Sequence, residues 1–96
     1  MTRAELLRRL QPGVKLRLVY RSSDGPKNMP REVISATRTT VVMRGPDYPR
    51  TSVSLAGATI QTTPAGFEIA WPGASRSGAL LRYEWVPSAG EQLELR

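Results

Sequence analysis

Val14-Lys15-Leu16-Arg17-Leu18-Val19-Tyr20-Arg21 opens the stretch that decides the fold, which runs on to Arg44. Side chains along a β-strand alternate between two faces. Val14, Leu16, Leu18 and Tyr20 therefore point one way, and Lys15, Arg17 and Arg21 the other. The segment reads as a strand with one apolar and one cationic face. Ser22 to Pro30 reads as a long polar loop, with turn signals at Asp24-Gly25 and Gly25-Pro26 and Met29 as its apolar anchor. A second strand is expected over about Arg31–Thr37, a turn at Thr37-Arg38-Thr39, and a third strand over Thr40–Arg44.

Upstream, Thr2-Arg3-Ala4-Glu5 fits a capping box, with Met1 and Leu6 placed as a hydrophobic staple. Leu6, Leu7 and Leu10 share one helical stripe; Arg3, Arg8 and Arg9 lie outside it. Pro12-Gly13 ends the helix. Two and a half turns cannot stand alone in water, so the stripe must dock, most simply as a lid on the open end of a sheet. A basic helix on nucleic acid or membrane is the other reading.

Downstream, Gly45-Pro46-Asp47-Tyr48-Pro49-Arg50 breaks the third strand, because two prolines and an aspartate do not suit a central strand. Pro46-x-x-Pro49 matches a short proline-rich ligand motif in form, but six residues between strands make a plain loop. Short strands follow at Thr51–Leu55, Thr59–Thr63, Phe67–Trp71 and Ala79–Val86. Ala56-Gly57-Ala58 marks a tight bend, and Pro72 to Gly78 a flexible loop. Glu91–Arg96 reads as a frayed tail. The expected core contains Leu16, Leu18, Tyr20, Val41, Phe67, Ile69, Leu81, Tyr83 and Trp85.

Ninety-six residues make one domain. The division is a capping helix over 1–12, a barrel over 13–87 and a flexible tail over 88–96. One helix and five to seven short strands spaced by turns predict a mainly β fold closed into a small barrel, which removes exposed edges. The order of elements resembles the SH3-like and Sm-like small barrels; an OB-like barrel or a small sandwich is the alternative. Pro12-Gly13, Arg31-x-Val33, Val41–Arg44, a Ser/Thr-led strand, Gly66-Phe67-x-Ile69 and Leu80-Leu81-Arg82-Tyr83-Glu84 together resemble small uncharacterised proteins of actinobacteria and their phages. That resemblance carries over no site residue. It implies a phage or mobile-element accessory protein that binds a host component.

The chain has no Cys and no His. Disulfides, thiolate chemistry, the usual zinc sites and the commonest neutral-pH base are thereby excluded. No glycine-rich phosphate loop is present, and no nucleophile has a base. Glu68 and Glu84 on neighbouring strands of a hairpin could form a carboxylate pair of the kind used on glycosides. An open face with Arg82 alongside makes a surface ion-pair cluster the simpler reading. No enzyme, no cofactor, no metal and no small-molecule substrate are expected. No 18-residue apolar run exists, so no membrane association is expected, and the default location is the cytoplasm, a host cytoplasm if phage-encoded.

Charge is the remaining signal. Residues 1–50 carry a net +7 and residues 51–96 a net −1, giving the overall +6. Arginine outnumbers lysine twelve to two. Arginine is the better phosphate fork, although composition bias in a GC-rich genome gives the same ratio. Lys15, Arg17, Arg21, Arg31, Arg38 and Arg44, with Tyr48 beside Arg50, could track a phosphate backbone and stack a base. The same cations could meet an acidic protein, and the flat edge around Thr51–Leu55 could pair with another copy as a homo-oligomer. The expected function is a non-enzymatic binding module working through protein interaction or self-association; sequence-nonspecific nucleic-acid binding through the basic face is the alternative.

Overall fold

The computed structural model describes residues 2–46, 48–72 and 79–86. The chain begins with helix α1, Arg3–Arg9. The Thr2 hydroxyl accepts from the Glu5 amide at 3.1 Å, and a Glu5 carboxylate oxygen accepts from the Thr2 amide at 3.2 Å. The capping box is therefore formed in both directions. Met1, the other half of the expected staple, lies outside the described residues. Leu6 and Leu10 are fully buried in the main core cluster, with Leu7 packed against it, so the apolar stripe docks on the sheet. Arg9 lies over the Trp85 ring, 4.0 Å from its centroid, which adds a cation–π contact to that docking.

Seven strands follow: β1 Lys15–Arg21, β2 Gly25–Ala36, β3 Thr40–Arg44, β4 Thr51–Ser54, β5 Thr59–Thr62, β6 Gly66–Trp71 and β7 Ala79–Trp85. They form one antiparallel sheet in the order β4-β3-β2-β1-β7-β6-β5. Two local meanders, β1 to β4 and β5 to β7, are joined where β7 pairs with β1. The sheet curls into a half-barrel, as the small-barrel reading expects, and it is one continuous sheet rather than two facing ones. Its two end strands, β4 and β5, are consecutive in the chain. Arg3 Nη2 holds their connector by donating to the Leu55 and Ala58 carbonyls at 3.0 and 2.9 Å.

The expected loop over 22–30 is a tight hairpin instead. The Asp24 amide donates to the Arg21 carbonyl at 3.0 Å, Gly25 takes φ +83°, and β2 starts there. Prolines 26 and 30 made the segment read as loop. They are tolerated because β3 pairs with β2 only from Glu32 onward, which leaves the outer edge of this part of β2 needing no amide. The turn at residues 37–39 falls as expected. It needs no glycine because the Thr37 hydroxyl accepts from the Thr40 amide at 3.1 Å.

A bulge at Val19 is the larger departure. Leu18 pairs with Tyr83, yet Tyr20 pairs with Arg82 and Arg21 with Leu81. Two positions on β1 thus advance one on β7, and the alternation reverses beyond Val19. Tyr20 leaves the core face and its ring lies 5.5 Å from the Arg82 guanidinium. Arg21 turns inward instead. Of the expected core, Leu16, Leu18, Val41, Phe67, Ile69 and Tyr83 are buried, while Leu81 and Trp85 are half-buried against them. Phe67 centres the aromatic part, 5.4 Å from the Tyr83 ring and 5.2 Å from Trp85. The expected loop at residues 73–78 and the tail at 88–96 lie outside the described residues.

Candidate binding surfaces

The cations expected to form one face are divided by the fold. Lys15 and Arg44 flank Glu32 across β1, β2 and β3. Lys15 Nζ lies 3.2 Å from Glu32 Oε1, and Arg44 Nη2 lies 3.2 Å from Oε2. These partners, Arg44 first and Lys15 second, hold the Glu32 carboxyl below its ordinary range. Arg21 Nη1 and Lys27 Nζ share Asp24 Oδ2 at 3.0 and 3.3 Å. The Asp24 carboxyl is lowered in turn, first by its hydrogen bond from Lys27.

Arg31 does not join the outer face. It pairs with Leu16 and sits on the core side, 3% exposed, with Nη1 donating to the Pro30 carbonyl at 3.0 Å. The apolar alternation Met29-x-Arg31-x-Val33 carried that signal: Arg31 shares the parity of two core-packed residues. Arg17 stays on the outer face between Pro30 and Glu84, half-buried, with Nε buried and without a hydrogen-bond partner.

Arg38 lies in the turn before β3, whereas Tyr48 and Arg50 lie in the loop after it. Five residues of strand, at about 3.3 Å each, separate the two ends. The β3–β4 loop is a closed turn, with the Gly45 amide on the Tyr48 carbonyl at 2.8 Å and the Tyr48 amide on the Gly45 carbonyl at 3.2 Å. It presents Tyr48 half-exposed, beside an open groove of about 470 Å³ lined by Lys15, Glu32, Arg44, Pro46 and Pro49. The eight candidate residues therefore divide into Lys15 and Arg44 flanking Glu32, Arg17 on the same outer face, the inward pair Arg21 and Arg31, and two separate ends, Arg38 and Tyr48 with Arg50, rather than one track.

Glu68 and Arg82 face each other in register, with Arg82 Nε on Glu68 Oε2 at 2.6 Å. That is the ion-pair reading of this hairpin. Glu84 pairs across from Gly66. Burial pushes the Tyr83 hydroxyl up to about 12, with Arg31 and Arg21 opposing that rise. Among the described residues no three His, Cys, Asp or Glu side chains gather as metal ligands, and no helix is long and apolar enough to cross a membrane.

The second surface is the β4 edge. Among the described residues β4 pairs with β3 alone. The Leu55 amide donates to the Thr39 carbonyl at 2.8 Å. Antiparallel alternation then turns the backbone groups of Val53 and Thr51 toward β3, and those of Ser52 and Ser54 away from it. Ser54 O is taken by the Trp71 indole at 3.1 Å. Ser52 presents both its N–H and its C=O on the outer edge. No charged residue and no proline occurs within β4, Thr-Ser-Val-Ser, or β5, Thr-Ile-Gln-Thr. Those are the usual means by which sheet edges are closed to pairing.

No protein-family model matches this chain, and neither does any curated protein or solved structure.

Proposed function

We propose that the protein is a non-enzymatic binding module that works through protein contacts at the open β4 edge, with either a second copy or a host protein supplying the added strand. The observation that carries this reading is the uncharged, proline-free edge with the Ser52 amide and carbonyl directed outward. Main-chain pairing supplies affinity in such strand addition, and side chains on alternate positions supply specificity. A non-enzymatic role is supported by the four groups whose titration is displaced. Glu5, Asp24 and Glu32 are all lowered and Tyr83 is raised, which moves each away from the neutral range a general acid or base needs. A phage or bacterial accessory role suits a module that captures a host component.

Polyanion binding is the second reading. It is favoured by the net charge of +6 and by Arg17, Arg38 and Arg50, none of which has a described carboxylate within ion-pair distance.

Sedimentation at micromolar concentration tests the main reading on wild type and Ser52→Pro. The proline removes the outward amide and leaves the amides of Thr51 and Val53, which serve β3. Self-association, or binding of an extended Thr/Val peptide, that is lost in Ser52→Pro supports the edge. A monomeric wild type that binds no such peptide overturns it.

A further inference from the structure

The bulge at Val19 places a second feature beside the β4 edge. A cavity of about 230 Å³ opens between β4 and the β6–β7 hairpin, lined among others by Arg21, Arg31, Val53, Trp71, Leu81 and Tyr83. Both arginines reach it from the core side of the sheet: Arg31 opposite Leu16, and Arg21 opposite Leu81 after the reversal of alternation. Arg31 is buried and fixed through the Pro30 carbonyl. Arg21 and Lys27 share the single carboxylate of Asp24, so that group keeps one net positive charge at the cavity mouth. The Tyr83 hydroxyl stays protonated across the physiological range and adds a neutral donor.

A strand added at β4 pairs with Ser52 through two main-chain bonds. The residue that then falls opposite Val53 points to the same face as Val53, which is the inner one. We infer that the partner strand carries an acidic side chain at this position, entering the cavity beside Arg21. The partner class is thus an extended segment with apolar or Thr side chains and one inward Glu or Asp. A partly desolvated slot with Arg21 on its wall rewards a carboxylate with charge-assisted hydrogen bonds and penalises a neutral isostere. This inference rests on the strand-addition reading and specifies its occupant.

The test uses two fluorescently labelled, end-blocked heptapeptides and the full chain: Thr-Val-Thr-Glu-Thr-Val-Thr and the same peptide with Gln in place of Glu. Fluorescence anisotropy is expected to show the Gln peptide about tenfold weaker, the scale of one charge-assisted bond. In Arg21→Gln the two peptides should bind alike, at the weaker affinity, while Arg21→Lys retains part of the preference. Equal binding of both peptides to wild type overturns the acidic occupant and leaves strand addition standing. Binding of neither peptide overturns both. A Glu preference that survives unchanged in Arg21→Gln, with wild-type melting, overturns the assignment to this cavity.

Discussion

Trp71 donates its indole Nε1–H to the Ser54 carbonyl at 3.1 Å, and so ties β6 to β4, strands that stand far apart in the sheet order. The bond crosses the gap of the curled sheet. It also occupies an acceptor that an added strand would otherwise use. Trp71→Phe should therefore destabilise by about 0.5–1.5 kcal/mol, the net worth of one hydrogen bond. For a domain of this size that is a melting shift of roughly 4–8 °C per kcal/mol. The same variant should bind the Thr/Val peptides more tightly, because Ser54 O is released. Calorimetry and anisotropy on one preparation check both halves.

Phe67 is fully buried between Tyr83 and Trp85. Phe67→Ala should cost about 3–5 kcal/mol, much of a marginal domain's stability. Trp85→Ala should cost less, since Trp85 is half-buried, although it also removes the seat of Arg9. Urea denaturation of the pair should rank them in that order.

Gly66 faces Glu84 on β7, and a Cβ there would collide with the Tyr83 carbonyl oxygen and crowd the Glu84 Cα at 2.7 Å. Both obstacles are backbone and cannot rotate away. Gly66→Ala should cost about 1–3 kcal/mol by forcing β6 from β7. Amide exchange should rise at Phe67 and Tyr83 before it rises in β2 and β3.

Acid sensitivity follows from the lowered carboxyls. Glu32 has a folded pKa below its ordinary value of 4.5, so its contribution is complete above that value and is lost as pH falls through the folded one. Asp24 and Glu5 act in the same direction. Melting temperature should be flat near neutrality and fall in acid, with a shallower acid limb in Glu32→Gln. The same variant frees Lys15 and Arg44.

Six phosphate contacts would give a salt slope of roughly −4 to −5 in log affinity against log salt. Of the outward-facing cations in the expected track, Arg17, Arg38 and Arg50 stand outside described ion pairs, so three contacts should give about −2 to −3 in the wild type. Glu32→Gln should steepen it. A wild-type slope near −5 on a labelled oligonucleotide would show that the ion pairs open on binding.

The capping box and the alternation in β1, β6 and β7 were legible because they are local patterns. Thr2 and Glu5 are three residues apart, and Phe67-x-Ile69 shows its own parity. The Val19 bulge was not legible, because its evidence is the register against β7, some sixty residues away. Alternation alone therefore points Tyr20 inward and Arg21 outward, the reverse of what is found. The chemistry of Arg31 groups it with surface cations, although its neighbours Met29 and Val33 mark its face. The start of β2 was hidden by prolines whose tolerance depends on how far β3 reaches.

The joint between the two meanders also sets the order in which the chain completes itself. Leu16 pairs with Trp85, sixty-nine positions further on, whereas the other pairings among the described strands link neighbours in sequence. Loop-closure entropy makes such a pairing late, and local hairpins early. On a ribosome, β1 must wait with one edge unsatisfied until β7 has emerged, some time after β2, β3 and β4 have assembled on its other side. During that interval the exposed flank of β1, with Leu16 and Leu18 uncovered, is the stretch most open to mispairing. A chain stalled before β7 should accordingly aggregate, and the lag to native fluorescence should track the arrival of its last strand.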